Sequence, residues 1–312
     1  MTVTWQDFEA IEVETPDTSI FPRRFGSGPG VLLLHDFPQT HLMWRDVAPL
    51  LAQQFTVICA DLRGYGRSGC PASKSDHRPY TKRAMAHDMV AVMKKVGFSH
   101  FSVAGHDRGG RVAYRLALDY PKRVDCLAVL DVLAIADVWE RADKKLVTGY
   151  WPWSLLSQPT PLPERLVSAA PDAVVDNAVG SWGSPPNVFS SAVRAAYIDA
   201  LRDPKHVHAI CEEYRAAATL DYEHDLEDRN ARRFIKCPML VLWSARGPLE
   251  SWYADAGGPL ELWRAWGADV RGKSVDGGHF FPEELPQQTA EHLTRFFGNH
   301  VHQQVPGSAL GH

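Results

Sequence analysis

The sequence predicts an α/β fold with a mostly parallel, doubly wound sheet and an inserted helical cap. Short apolar runs alternate with segments whose apolar residues recur at helical spacing, which indicates strands alternating with helices. The alternation lapses once, between about residues 136 and 218. The strand candidates are GVLLLHD, FTVICADL, FSVAGHD, CLAVLDV and PMLVLWS. The helix candidates are THLMWRDVAPLLAQQ, TKRAMAHDMVAVMKKVG, RVAYRLALDYPKRV and PQQTAEHLTRFFGNH.

The lapse in the alternation divides the chain. We predict a first part of the core over residues 1–135, a helical cap over 136–218 and a second part of the core over 219–300. The cap segment is rich in prolines and tryptophans at its start and has helical patterns around 191–202 and 205–218. Residues 301–312 have no periodicity and are expected to form a flexible tail.

Composition narrows the class of protein. The chain has 312 residues, is 45% hydrophobic and 22% charged, and carries a net charge of −4, so nothing favours a nucleic-acid or membrane-surface partner. The amino terminus does not resemble a signal peptide, and the five cysteines are scattered without metal-binding spacing. We therefore expect reduced thiols, a cytoplasmic location, and neither a metal nor a cofactor.

The stretch GHDRG follows the third strand candidate and fits the pattern Gly-x-nucleophile-x-Gly, with Asp107 at the nucleophile position. The flanking glycines allow a strand and a helix to pack closely around a sharp turn. The start of the following helix also favours an anion. Asp107 could instead be a simple helix cap, but the strand and both glycines favour a nucleophile.

A base and an acid partner can be sought at other strand ends. His279, in VDGGHFFPEE, follows the last strand and is the expected general base. Asp131 ends the run CLAVLD and is our choice for the acid that orients it, with Glu250 kept as the alternative. The turn in LLLHDFPQT is expected to supply an oxyanion-binding N–H at Phe37, paired with the N–H of Arg108.

A carboxylate nucleophile restricts the chemistry. It attacks an sp³ carbon that bears a leaving group and forms an alkyl ester, which a water activated by His279 then hydrolyses. Halide displacement and epoxide opening both fit. Arg108 and Arg111 share one helical face beside Asp107, where two guanidinium groups could bind a substrate carboxylate. A haloacid is therefore favoured, although either arginine could pair with a cap or core acid instead.

These residues resemble the haloacetate and fluoroacetate dehalogenases of the α/β-hydrolase superfamily. The resemblance runs from about residue 30 to residue 298 and rests on HDFPQTHLMW, ADLRGYGRS, GHDRGGRVAYRLALDYP, YRAAAT, EHD and GGHFFPEE. It implies the α/β-hydrolase fold, an Asp107–His279–Asp131 triad and a carboxylate clamp made by Arg108 and Arg111. It also implies that the indole N–H of Trp153 faces the departing halide and that Trp182 is a further pocket wall.

Three positions depart from the family pattern. Many relatives have glycine where this chain has Asp36, which could distort the turn or add negative charge near the site. The family usually has histidine before the cap tryptophan, where this chain has Pro152, and some members have a tyrosine hydroxyl where we align Thr219. Because fluoride is the poorest halide leaving group, the loss of a donor predicts a preference for chloro- or bromoacetate or a bulkier acid.

Two other functions stay open. An epoxide hydrolase would use the same Asp-His-Asp residues together with a cap tyrosine, for which Tyr150, Tyr197 and Tyr214 are available. A non-catalytic binding protein on the hydrolase fold is the second. The expected partner is a small anionic substrate, and a homodimer is left open.

Overall fold

The computed structural model describes residues 3–300 and confirms the predicted α/β architecture. Eight strands form one sheet in the order β1-β4-β6-β5-β7-β8-β9-β10, and β2 and β3 form a separate hairpin. Strands β5 to β10 pair in parallel, whereas β4 is antiparallel to both β1 and β6. The strands are β1 (Glu9–Ala10), β2 (Val13–Glu14), β3 (Ser19–Ile20), β4 (Pro22–Phe25), β5 (Gly30–Leu34), β6 (Thr56–Ala60), β7 (Phe101–His106), β8 (Val124–Leu130), β9 (Met239–Ser244) and β10 (Val270–Val275).

Fifteen α-helices lie within the described residues. They are α1 (Ala48–Leu51), α2 (Lys82–Lys95), α3 (Arg108–Asp119), α4 (Ile135–Glu140), α5 (Lys144–Gly149), α6 (Trp151–Leu155), α7 (Leu162–Ala169), α8 (Pro171–Ser181), α9 (Ser191–Ala200), α10 (Pro204–Ala218), α11 (Leu220–Asn230), α12 (Pro248–Trp252), α13 (Gly258–Arg264), α14 (Phe281–Glu284) and α15 (Pro286–His300). The described residues also contain five short 3₁₀ turns, at Trp5–Asp7, His41–Trp44, Arg78–Tyr80, Pro186–Val188 and Ala254–Ala256.

The central strands are buried on both faces, as their continuous apolar sequences require. In β5, Val31 and Leu33 belong to the apolar cluster that includes α1 and α15. Leu32 and Leu34 belong to the cluster that includes α2 and α3. Because side chains alternate along a strand, one short apolar run contributes to two cores on opposite faces of the sheet.

Two predicted helices differ from the structure. The helix predicted over 111–124 ends at Asp119, before β8 begins at Val124, and the other differs more. The segment 40–54 was expected to be helical throughout, but it forms the 3₁₀ turn His41–Trp44 followed by the single turn α1. Its apolar residues Met43, Trp44 and Val47 are nevertheless fully buried, at helix-like spacing. The pattern therefore identified the buried face correctly, while the backbone is more tightly wound than an α-helix at its start.

The helices α4 to α10 occupy the interval between β8 and α11, where the cap was predicted. Helix α11 returns to the core, because Arg115 on α3 forms a buried ion pair with Asp225 at 2.8 Å. The division of the chain into core and cap stays a prediction. The tail predicted over 301–312 lies outside the described residues.

Parallel strands place their carboxyl ends on one edge of the sheet. Asp36 lies two residues beyond β5, Asp107 and Asp131 directly follow β7 and β8, and His279 lies in the loop after β10. Ligands of open α/β sheets bind at this edge. The topology thus gathers side chains that are far apart in the sequence.

Candidate active site

Asp107 occupies a strained turn between β7 and α3. Its backbone φ is +35° and ψ is −102°, a conformation that a non-glycine residue rarely adopts. A side chain at Gly105 would collide with the backbone of Gly109, and one at Gly109 would lie 2.5 Å from the backbone of Leu34. The two glycines therefore permit the close packing that the GHDRG pattern predicted.

His279 is completely buried behind Asp107. Its Nδ1 lies 2.6 Å from Oδ2 of Asp131, and the N–H of Ser244 donates to Oδ1 of Asp131 at 2.8 Å. The alternative acid, Glu250, is exposed and accepts a hydrogen bond from the indole of Trp243 instead. The geometry thus brings Asp131, and not Glu250, to the predicted base.

The second imidazole nitrogen of His279 faces two further carboxylates. Its Nε2 lies 3.4 Å from Oδ2 of Asp107 and 3.0 Å from Oδ2 of Asp36. Ionised carboxylates only accept hydrogen bonds, and a neutral imidazole carries a single N–H. Contacts with Asp131 and Asp36 at the same time therefore require a second proton, which His279 carries when both carboxylates are ionised.

The electrostatics agree with this proton count. Burial lowers the pKa of His279, but its hydrogen bonds to Asp131 and Asp36 outweigh burial and raise the pKa to about 9. Burial raises the pKa of Asp36, but the hydrogen bond and charge of His279 hold that pKa below its ordinary value. Both shifts favour an imidazolium at His279 beside an ionised Asp36 at neutral pH.

Asp36 also faces the expected oxyanion-binding groups. The N–H of Arg108 donates to Oδ1 of Asp36 at 3.3 Å, and the N–H of Phe37 contributes to the lowered pKa of the Asp36 carboxyl. The Phe37 ring is buried and packs edge-on against Tyr214, with 5.8 Å between the ring centroids. These contacts place the Asp36 carboxyl beside the expected oxyanion-binding N–H of Arg108, as the prediction of added negative charge near the site requires.

The two arginines beside Asp107 have different partners. Arg108 is buried and its Nε donates to Glu213 at 2.7 Å, while Lys82 forms a second ion pair with the same carboxylate. Burial raises the pKa of Glu213, but Arg108 and Lys82 outweigh it and lower the pKa to about 2. Arg111 donates to the Asp107 carboxylate itself. The alternative that an arginine pairs with a core acid is thus realised at Arg108.

Donors on both arginines nevertheless stay unused. Nη1 of Arg108 and Nε of Arg111 are buried and have no hydrogen-bond partner anywhere in residues 3–300. The guanidinium carbons lie 5.6 Å and 4.6 Å from the ring centre of Trp153. Unpaired buried donors are costly, so an acceptor placed between these two groups would bind favourably.

The cap supplies aromatic walls. Trp153, on α6, is buried and packs edge-on against Trp139 at 5.2 Å. Trp182 is buried with its ring centroid 5.4 Å from that of His279, and its indole N–H donates to the carbonyl oxygen of Gly149. Pro152 is buried in the first turn of α6. Of the predicted cap residues, Trp153 contacts Arg108 and Arg111 and Trp182 contacts His279, while Pro152 directly precedes Trp153 in the chain.

Thr219, the fourth predicted pocket residue, makes no hydrogen bond with the residues of the candidate site that the structure describes. It is exposed at the carboxyl end of α10, and its hydroxyl donates to the carbonyl oxygen of Arg215 at 2.8 Å. The hydroxyl is thus used to terminate the helix. Helix α10 instead directs Glu213 and Tyr214 to this site, and the Tyr214 ring lies 3.8 Å from the Arg108 guanidinium carbon.

Sequence reasoning missed Glu213, Lys82 and His106. Glu213 had a detectable signal, because Ile210, Glu213, Tyr214 and Ala217 form one helical stripe that is otherwise apolar. An acid within such a stripe indicates a buried partner of opposite charge. Neither of the other two residues had a comparable pattern.

Asp36, His106 and His279 are the described residues that offer metal ligands here, with ligand atoms within 4.8 Å of one another. Burial, together with the charge on His279, lowers the pKa of His106 to about 4, so His106 is neutral and donates through Nε2 to the carbonyl oxygen of His279. Because a proton shared between His279 and Asp36 accounts for their contact, we assign no metal to this group.

Comparison with known proteins agrees with this architecture. A family model described as alpha/beta hydrolase fold matches residues 29–281. The chain belongs to the α/β-hydrolase family. A solved α/β-hydrolase structure from Nostoc sp PCC 7120 superimposes with a TM-score of 0.89 at 44% identity, covering 94% of this chain and 99% of that one.

Relatives within the family carry two activities. The chain is 40% identical to a fluoroacetate dehalogenase from Burkholderia sp over 296 residues, or 95% of each chain. It is 30% identical to a soluble epoxide hydrolase from Corynebacterium sp. (strain C12) over 285 residues, or 87% of this chain and 91% of the relative. This α/β hydrolase is therefore haloacetate dehalogenase-like over nearly its whole length. None of its helices within residues 3–300 is long and apolar enough to cross a membrane.

Proposed function

We propose that this hydrolase removes halide from short 2-haloacids through an ester on Asp107, giving a 2-hydroxy acid. The observation that carries the proposal is the pair of unused buried donors, Nη1 of Arg108 and Nε of Arg111, beside a carboxylate held in a strained turn. A substrate carboxylate would satisfy both donors with charge-assisted hydrogen bonds. The Burkholderia fluoroacetate dehalogenase, at 40% identity, supports the same substrate class.

The first half-reaction forms the ester. With the acid end of the substrate held by Arg108 and Arg111, an oxygen of Asp107 attacks the α-carbon from the side opposite the halogen. A carbon–oxygen bond forms as the carbon–halogen bond breaks, and the halide leaves with the electron pair. Trp153 is the proposed halide donor, because its buried indole lies beside both arginines, whose guanidinium carbons are 5.6 Å and 4.6 Å from the ring centre.

The second half-reaction hydrolyses the ester. A water gives a proton to Nε2 of His279 and attacks Cγ of Asp107, and the tetrahedral intermediate then releases the hydroxy acid as its oxygen takes that proton. Asp131 orients His279 and stabilises the imidazolium. The step requires neutral His279, and because the pKa of His279 is about 9, the fraction of neutral base rises as the pH approaches that value.

The leaving-group series tests the proposal. Initial rates of halide release should be highest with bromo- or chloroacetate and about 10-fold to 100-fold lower with fluoroacetate, because Pro152 has no side-chain donor and fluoride needs most hydrogen-bond help. The measurement is ion-selective detection of each halide. A matched Pro152→His variant should reduce this difference in rate between the haloacetates. The added side-chain donor should increase the rate with fluoroacetate most. Fluoroacetate as the best substrate of the parent chain would contradict the preference.

A second candidate function rests on one hydroxyl. Tyr150 is buried with its ring 5.8 Å from that of His279, and its hydroxyl has no hydrogen-bond partner in the described chain. It could donate to the oxygen of an opening epoxide, whereas Tyr197 is bound to Glu283 at 3.0 Å. Hydrolysis of a styrene-type epoxide without release of halide from any haloacetate would favour this function over dehalogenation.

A further inference from the structure

The Asp36 carboxylate contacts both parts of the apparatus needed to hydrolyse an ester. One oxygen lies 3.0 Å from Nε2 of His279, and the other accepts the N–H of Arg108 at 3.3 Å. The side chain is only 2% exposed. A single ionised group therefore spans the distance between the general base and the oxyanion-binding N–H.

Hydrolysis needs those two positions for other atoms. The attacking water must hydrogen-bond to Nε2 of His279, and the developing oxyanion on Asp107 must accept the N–H of Arg108. A carboxylate that holds both groups competes with the water for the base and with the oxyanion for its donor. It also keeps His279 protonated, and an imidazolium cannot accept a proton from water.

Ester formation does not have these requirements. An ionised carboxylate attacks carbon without a base, and the negative charge moves onto the departing halide instead of an oxyanion. Asp107 accepts a hydrogen bond from Arg111, which Asp36 does not contact by any hydrogen bond or ion pair within residues 3–300. Asp36 therefore obstructs hydrolysis of the ester but leaves its formation largely unaffected.

We propose that Asp36 is an internal competitor of the hydrolytic water, so that the Asp107 ester forms faster than it is hydrolysed. The inference rests on the proposed dehalogenation. Each turnover still balances. Halide leaves in the first step, and in the second step water supplies an oxygen to the Asp107 carboxylate and a proton to the hydroxy acid. Asp36 is not consumed. It must move away from His279, or give way to a water, before each hydrolysis.

The test is the time course of halide release from excess chloroacetate by the intact chain. The parent chain should release a rapid burst of about one chloride per chain and then continue slowly, and intact mass should show one carboxymethyl group on the peptide containing Asp107. In Asp36→Gly the slow phase should accelerate at least about tenfold, while the burst rate changes little. The adduct should then disappear from the steady state.

Two further variants make the result specific. Asp36→Asn keeps the size of the side chain but removes its charge, and should also accelerate the slow phase if Asp36→Gly fails to fold. Asp46→Gly removes an acid that is half exposed at the surface and should change neither phase.

A linear time course without adduct, unchanged in both Asp36 variants, would overturn the inference while leaving dehalogenation intact. A slower second phase in the Asp36 variants would also overturn it, because Asp36 would then assist the water. Absence of halide release from every variant would instead refute the proposed function, and the inference would fall with it.

Discussion

An Asp107→Asn variant should release halide from chloroacetate at least about 10⁴-fold more slowly than the parent chain. The amide has nearly the same shape as the carboxylate but is neutral and a far weaker nucleophile. It can still fill the strained turn after β7 and accept a hydrogen bond from Arg111, so the fold should be retained. Circular dichroism and the melting temperature check that retention, and chloride release measures the effect.

The matched control is Glu250→Gln. It makes the same change from acid to amide at the residue that the sequence left as an alternative acid, but Glu250 is exposed and bonded to Trp243. We expect its turnover to stay within about twofold of the parent chain. Residual activity of Asp107→Asn within tenfold of the parent would mean that another group performs the attack.

A His279→Asn variant should release about one chloride per chain and then stop. Ester formation needs no base, but hydrolysis loses its proton acceptor, a loss we expect to slow the second step by about 10²–10⁴-fold. Intact mass and peptide mapping should find a carboxymethyl group on Asp107 in nearly every chain. Asparagine also removes the imidazolium that pairs with Asp131 and Asp36, so stability should be measured alongside.

An exposed histidine provides the control for this variant. His87→Asn changes a side chain that bonds only to Tyr120 at the surface, and its time course should match that of the parent chain. Sustained turnover by His279→Asn would show that His279 is not the base. Complete loss of the first chloride, in a folded variant, would show that His279 is needed before the ester forms.

The central sheet could be predicted because most of its strands are recognisable in the sequence as short apolar runs. Strands β5 to β9 have nearly continuous apolar sequences, which are typical of a parallel sheet that is covered on both faces. Strand β10, with the sequence VRGKSV, is largely exposed at the edge and has no apolar run from which its bounds could be assigned. The antiparallel strands β1 and β4 were missed because they are two and four residues long.

The candidate site was predictable where a residue's role depends on its place at a strand end. Asp107, Asp131 and His279 all follow strands, and parallel strands end on one edge. The partners of Asp36 and Arg108 were not predictable, because they depend on which side chains the tertiary fold brings together. Asp36 and His279 are 243 residues apart, yet their contact alters the protonation of the base.

The most direct test of the account is a single turnover in heavy-oxygen water with the chain in excess over chloroacetate. If Asp107 attacks the α-carbon, water oxygen enters the Asp107 carboxylate when the ester is hydrolysed. Mass spectrometry should find label in the peptide containing Asp107 and unlabelled hydroxyl oxygen in the first glycolate released. Label in the hydroxyl of that glycolate, with none in the Asp107 peptide, would show that water attacks the substrate directly and would contradict the account.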